Sequence, residues 1–289
     1  MKTKLSRSGY RNKTRLFYNI FCHGVMLLMA FISLFPIYIM VMGSFKSSSE
    51  LLLNSVGLPE SFDPINYVKL WNYNSGTILR TYLNSLFVGG VYTVIAIVFA
   101  SMAGYAFAKY KFRGKEVLFV MFLLTMMVPQ ELNLTPLYLI YSKLGLLNTY
   151  TVQIITGIAN VFAMFMFRKN METIPDSLIE SAKIEGAGHF KIFTKIIVPV
   201  SKPVFGALAI LVYLSKWNEF LLPKMFISKT ELLPIMVILP TLSVGDNLYA
   251  VPWELVLTGC TLVIIPLVII FLMFQDKFLA SVTIGAVKG

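Results

Sequence analysis

Charge is scarce in this 289-residue chain: 13% of its residues are Asp, Glu, Lys or Arg, 57% are hydrophobic, and the mean hydropathy is +0.74. A soluble domain carries about 25% charged residues, so these proportions exclude one and call for a bilayer. Acid is the scarcer sign, with 14 Asp and Glu against 25 Lys and Arg and a net charge of +11. Basic residues beside apolar runs are explained by membrane orientation, so the surplus does not call for nucleic acid. Cysteine is nearly absent. Cys22 and Cys260 fall in different apolar runs without a C-x-x-C neighbour, which excludes a disulfide framework and a zinc site and leaves two small core hydrophobes. His23 and His189 are far apart and have no Cys or carboxylate cluster at ligand spacing, so no metal site is expected. No G-x-x-x-x-G-K-[S/T] loop occurs, so the chain has no phosphate cradle of its own, and no catalytic constellation stands out. Internal repeats and low-complexity tracts are also lacking.

What the sequence does have is long apolar runs. A span needs about 20 mostly apolar residues to cross about 30 Å of hydrocarbon. Six runs qualify, at 16–42, 82–108, 117–140, 151–167, 203–223 and 255–274, predicting an all-α integral membrane protein with one membrane domain over 1–289. The first run is too long for a secretory signal core, which marks it as an uncleaved helix. Orientation follows from the basic residues, because positive loops stay cytoplasmic. Eighteen lie at the N-terminus, in the 109–115 and 168–202 loops and in the tail, against six on the opposite face. Both termini are therefore expected in the cytoplasm of a multi-pass protein. Two long outer loops, 43–81 and 224–254, are either docking elements or simple connectors.

Between the fourth and fifth runs lies a loop, 168–202, that is too polar to cross and too apolar to be disordered. Ser177 and Glu180 have capping-box spacing, which predicts a helix beginning just after Pro175, with Leu178, Ile179 and Ala182 toward one face. Gly186 and Gly188 interrupt it. A second amphipathic stretch sets Phe190, Phe193, Ile196 and Ile197 opposite Lys191 and Lys195, and Pro199 ends it. Amphipathicity alone leaves open an interfacial helix resting on lipid.

Spacing goes further. Glu180, Ser181, Ala182, Gly186, Ile196, Val198 and Pro199 match every gap of a pattern E-A-A, three residues, G, nine residues, I-x-L-P, with Ser181 for Ala and Val198 for Leu. This resembles the signature of binding-protein-dependent ABC importer permeases. The segments 108–115, 127–129, 144–149, 217–220 and 285–289 are similar to the carbohydrate-uptake branch, and within it to the second permease subunit of the maltose type. The resemblance covers about residue 16 to the end. It implies a type I importer fold with six transmembrane helices and a cytoplasmic coupling loop. It also implies a bacterial cytoplasmic membrane location, a second permease subunit as heterodimeric partner, two ATPase subunits and an extracellular solute-binding protein. ATP and Mg would be used by the partner ATPase and no cofactor bound here. Glu180, Ser181, Ala182, Glu185, Gly186, Ile196, Val198 and Pro199 would form the ATPase-coupling element, and the tail 285–289 would reach toward the ATPase pair or be a free end.

Polar residues within the runs are costly and mark cavities or partners. Lys216 and Glu219 share one side of the fifth run as an ion pair or as solute contacts. The third run is interrupted at Pro129 and Pro136, which makes Gln130, Glu131 and Asn133 candidates for a solute pathway, joined by Gln153, Asn160 and Asn218. In the maltose-type pair the other subunit makes most sugar contacts. Trp71, Trp217 and Trp253 read as interfacial anchors. The alternative is a self-contained, ion-coupled secondary transporter using the Lys216–Glu219 pair, which leaves the 180–199 spacing without a purpose.

Overall fold

The structure, a computed structural model, describes residues 4–243 and 251–286, with side chains described over 18–73, 76–243 and 251–273. In chain order the helices are α1 (Lys4–Gly43), α2 (Ser48–Leu53), α3 (Ile65–Asn72), α4 (Thr77–Lys109), α5 (Lys115–Thr125), α6 (Leu134–Lys143), α7 (Tyr150–Ile155), α8 (Val161–Glu172), α9 (Asp176–Ile184), α10 (His189–Ile192), α11 (Val198–Val200), α12 (Lys202–Trp217), α13 (Leu221–Phe226), α14 (Ile235–Ile238) and α15 (Trp253–Ala286). No strand occurs among the described residues, and the all-α membrane fold is the one expected.

Three helical stretches are long and apolar enough to cross a bilayer: Tyr18–Gly43, Thr77–Lys109 and Trp253–Met273. Two further pairs qualify if each bent pair counts as one span: Lys115–Thr125 with Gln130–Lys143, bent by 90°, and His189–Val200 with Lys202–Trp217, bent by 83°. The apolar run 151–167 is divided between α7 and α8. Gly157, at φ +79, turns the chain there, and the Asn160 side chain accepts from Ala163 N at 2.8 Å to start α8.

By internal contacts the chain forms two compact units. The first, Met1–Leu70 with Gly245–Leu262, holds α1, whose apolar window is not buried against this chain at all, as befits a helix facing lipid or a partner. After α1 the segment 44–66 wraps around Lys46, which is fully buried. Its ammonium donates to the carbonyls of Asn54 (2.5 Å) and Gly57 (2.6 Å), and Asn66 Nδ2 donates to Ser44 O and Lys46 O. Thr258 and Thr261 of α15 donate to Ser44 O and Met40 O. The segment that follows α1 is thus an ordered element.

The second unit, Trp71–Val244 with Val263–Gly289, is built on α4, which packs most extensively on α8 and α12. Its core joins Ala96, Ala100 and Tyr105 of α4, Met164, Phe167 and Met171 of α8, and Leu208 and Val212 of α12. Ile179, Ala182, Ile192, Phe193 and Ile197, from the loop between α8 and α12, belong to the same cluster. The segment 226–235 is laced down by side chains. Asn84 donates to the carbonyls of Glu231 and Leu233, Gln153 donates to Leu232 O, and Ser85 Oγ accepts from Ile235 N.

Two expectations change. Trp217 is 1% exposed, packed edge-on to Tyr82 and stacked on Tyr213, so it is a core residue; Trp71 and Trp253 are exposed. Cys22 and Cys260 are free and half-buried on largely apolar helices, where a small side chain is tolerated at the surface as well as in a core.

The α4–α8 contact depends on one missing methyl. A Cβ at Gly104 would sit 2.6 Å from Phe167 Cβ and 3.0 Å from both Arg168 N and Met164 O. Two of these atoms are backbone, which cannot swing aside. Gly104→Ala is expected to destabilise the protein by about 1–3 kcal/mol through overpacking, whereas Gly90→Ala, with nothing within 4 Å of its Cβ position, is neutral or stabilising. Thermal unfolding in detergent compares the two; equal behaviour would show that the helices can part freely.

Candidate functional site

The loop from 173 to 201 begins where Ile174 is buried and Pro175 takes the N-cap position of α9. Proline has no side-chain acceptor, so the capping box expected from Ser177 and Glu180 does not form, because Ser177 falls inside the first turn. The helix start is held from outside. Lys109, at the end of α4 and with a 7% exposed side chain, donates to Ile174 O and to Asp176 Oδ1, the latter at 2.7 Å. α9 ends in a Schellman motif: Ala187 N bonds Ala182 O, Gly186 N bonds Lys183 O, and Gly186 has φ +79. The chain then runs through α10, a π-helical turn at Phe193–Ile197 and α11 before the bend into α12.

This arrangement sorts the predicted coupling residues. Glu180, Ser181, Glu185 and Gly186 face outward, as do the apolar Leu178, Ile184 and Phe190, the last two being 88% and 71% exposed. Ala182 is buried, Ile196 and Val198 pack partly against the core, and Pro199 is exposed near the bend. The expected faces shift accordingly. Ile179 and Ala182 turn inward while Leu178 turns out, and Phe190 is exposed while Ile192 takes the inward place, because α10 begins a new helical phase after the glycines. The result is a knob rooted in the transmembrane core with an uncovered apolar tip. The tail 287–289 lies outside the described residues.

A second constellation surrounds a cavity of about 550 Å³ lined by Tyr92, Gln130, Thr156, Asn160, Lys216 and Glu219, among others. An adjoining one of about 330 Å³ is lined by Gln130, Glu131, Asn133 and Glu219. Lys216 Nζ lies 2.6 Å from Glu219 Oε2 and 4.6 Å from the centroid of the Tyr92 ring, with the lysine side chain 3% exposed. The pair is therefore a mutually neutralised contact with an aromatic wall. Tyr92 donates to Gly157 O at 2.7 Å, which orients its ring. Asn218 lines neither cavity and donates to Leu214 O at the end of α12, and Gln153 is fully buried in the 226–235 lacing. Tyr92 was missed from sequence. One hydroxyl among several in a largely apolar run, with Ser85, Thr93, Ser101 and Tyr105 beside it, is a faint signal.

Near the knob, charges are tied in pairs. The Asp176 carboxyl is held below the usual carboxylate range by the hydrogen bond and charge of Lys109. Burial pushes the Glu172 carboxyl up, but hydrogen bonds from Arg168 and Lys169 outweigh it and hold it low. A depressed folded pKa means that stabilisation is fully present above the ordinary carboxylate value and is lost as pH falls through the folded one. Asp176→Asn is therefore expected to lower stability at neutral pH and to shallow the loss of stability on acidification. Unfolding temperatures from pH 7 down to pH 3 check this; curves parallel to the unsubstituted protein would leave the Lys109 tie without weight.

The fold and the two constellations define a multi-pass membrane transport subunit. Residues 69–283 match the family described as binding-protein-dependent transport system inner membrane component, and the chain belongs to that family. It is a permease subunit of an ABC importer. The chain is 37% identical over 271 residues to the arabinooligosaccharides transport system permease protein AraQ of Bacillus subtilis (strain 168), covering 91% of this chain and 93% of that one. It is 28% identical over 267 residues to the lactose transport system permease protein LacG of Rhizobium radiobacter, covering 92% and 95%. Among solved structures, its fold is similar to a chain of a bacterial ABC transporter involved in import of the acidic polysaccharide alginate, with TM-score 0.81, 23% identity, and coverage of 92% of this chain and 98% of that one.

Proposed function

We propose that this permease carries a sugar or oligosaccharide across the bacterial cytoplasmic membrane, with both termini and the α8–α12 loop on the cytoplasmic side. Its expected partners are a second permease subunit, two ATPase subunits that use ATP and Mg, and an extracellular solute-binding protein. The observation that carries the coupling half is the knob: a correctly spaced motif folded as helix, left-handed turn and helix, rooted in the transmembrane core and apolar at its tip. An apolar tip on a cytoplasmic loop needs a partner, and a cleft in the ATPase is the partner this motif serves in the family. ATP then acts by differential affinity for two states of the assembly, and a knob that shares a core with the spans hands that difference to the membrane.

The cargo half rests on the cavities. Amide, hydroxyl and phenol groups, one neutralised ion pair and the Glu131 carboxylate offer hydrogen bonds that suit a polyhydroxylated solute, and the relatives named for arabinooligosaccharides and lactose agree with that chemistry. Gln130, Glu131, Asn133, Asn160, Lys216 and Glu219 are assigned to the pathway. Asn218 belongs with the α12 terminus.

Gly186→Val places a branched side chain at φ +79, where only glycine is unstrained, while open space surrounds the position. The expected outcome is a variant that inserts normally but loses ATPase subunits on co-purification, with ATP-driven uptake down by at least about tenfold. Normal co-purification and uptake would remove the coupling assignment. Gln130→Ala combined with Asn133→Ala is expected to slow uptake with the ATPase complex intact; unaltered uptake would make those residues structural.

A further inference from the structure

α5 is a short, lightly buried helix of the second unit. Phe119 is its one buried side chain, and Val117, Val120, Met121 and Leu124 are half or more exposed. Its start is Gly114, at φ +78, where the chain can swivel without a Cβ clash. Its far end breaks by 90° into the turn that carries Gln130, Glu131 and Asn133. At its first turn it is pinned by one side chain from α8. Arg168 Nη2 donates to Glu116 Oε1 at 2.7 Å and Oε2 at 2.9 Å, and its guanidinium carbon stands 3.9 Å from the centroid of the Phe119 ring. Arg168 Nε donates to Glu172 Oε1 at 2.7 Å, one turn along the same helix, and Nη1 is buried without a partner. The Arg168 side chain is 8% exposed. Only three residues, 173–175, separate α8 from α9, so the residue that grips α5 stands on the helix that leads into the knob.

We propose that Arg168 is a positioning residue that hands displacement of the α9 knob to α5 and so to the pathway turn at 130–133; this rests on the coupling assignment made above. The chemistry suits a joint. A charge-assisted contact to both oxygens of one carboxylate fixes direction as well as distance, and its stacking on Phe119 holds the guanidinium plane. Phe119 and Phe122 also rest on Phe107 of α4, and Phe119 on Phe165 of α8, but these apolar contacts are non-directional and leave the ion pair as the directional tie of α5.

The two carboxylates make the test specific, since Glu172 lies on the same helix as Arg168 and only Glu116 crosses to α5. In the complex with partner permease and ATPases, and in a Cys22→Ser, Cys260→Ser background, spin labels are placed at Leu211→Cys and either Lys183→Cys (α9) or Val120→Cys (α5). Distances are read without nucleotide and with ATP bound. In the parent both distances shift on ATP binding. Glu116→Gln, at a two-thirds exposed side chain, is expected to keep the 183–211 shift and lose the 120–211 shift, whereas Glu172→Gln keeps both. An unchanged 120–211 shift in Glu116→Gln, or its equal loss in Glu172→Gln, overturns the role of Arg168 while leaving the coupling assignment standing. A parent complex in which 183–211 does not move overturns both.

Discussion

Without a Cβ at Gly104, the backbones of α4 and α8 meet close to Phe167 and Arg168, and much of the second unit follows from where that contact puts the end of each helix. α8 delivers Arg168 to Glu116 and Phe119, and α4 delivers Lys109 to Ile174 and Asp176. The segment between α8 and α9 is thus gripped from α4, while α8 itself grips α5. Five side chains of the following loop then close the same apolar core. Interiors of this kind are close-packed and have discrete arrangements, so a push on the knob shifts packed elements as bodies. Had the loop merely rested on the membrane surface, its apolar side chains would have faced one way. Here they divide, with Ile179, Ala182, Ile192, Phe193 and Ile197 inward and Leu178, Ile184 and Phe190 outward.

The two units solve the problem of a buried lysine differently. Lys46 is satisfied by carbonyls, fixed dipoles that hold a loop closed around it. Lys216 is satisfied by a carboxylate three residues away at the wall of a cavity. Charged groups taken out of water lose hydration worth several kcal/mol each and need compensation in place. Carbonyls of a folded segment offer it once, in one geometry. A pair beside a cavity can exchange partners with a solute or with water, which is what the proposed pathway role of the second lysine requires, whereas the first holds a loop closed.

Legibility from sequence followed the physical range of each signal. Hydropathy anticipated the stretches that the structure builds as three helices and two bent pairs long enough to cross, because burial in lipid depends on composition summed over about 20 residues, whereas the expected span at 151–167 is divided between two short helices. The position of α9 after Pro175 and the turn at Gly186 were equally legible, since proline and glycine act through their own backbone geometry. The reason for the helix start was not, because it lies in Lys109, 67 residues away from Asp176. Phe190 was misplaced for a related reason: Gly186 and Gly188 reset the helical phase, and periodicity carried across a break gives the wrong face. Trp217 and Tyr92 depend wholly on neighbours from other helices, so no local pattern distinguishes an anchor from a core residue or a pathway wall.

The same limit explains the divided helices, and here the structure adds an argument that averaging over windows cannot make. Three breaks, between α5 and α6, between α7 and α8, and between α12 and α13, contribute Val128, Gly157, Asn160, Glu219 and Phe220 to the walls of the two adjoining cavities. Backbone that leaves the helix at membrane depth exposes donors and acceptors that hydrocarbon cannot satisfy, and it persists only against protein or water. One break could be an accident of a proline or glycine. Three breaks from separate apolar runs that converge on one polar space are mutually explanatory: the space needs the freed polar groups, and the freed groups need the space. Helices that ran straight past it would have left Lys216 and Glu219 facing apolar walls alone, at a cost that their single hydrogen bond does not offset.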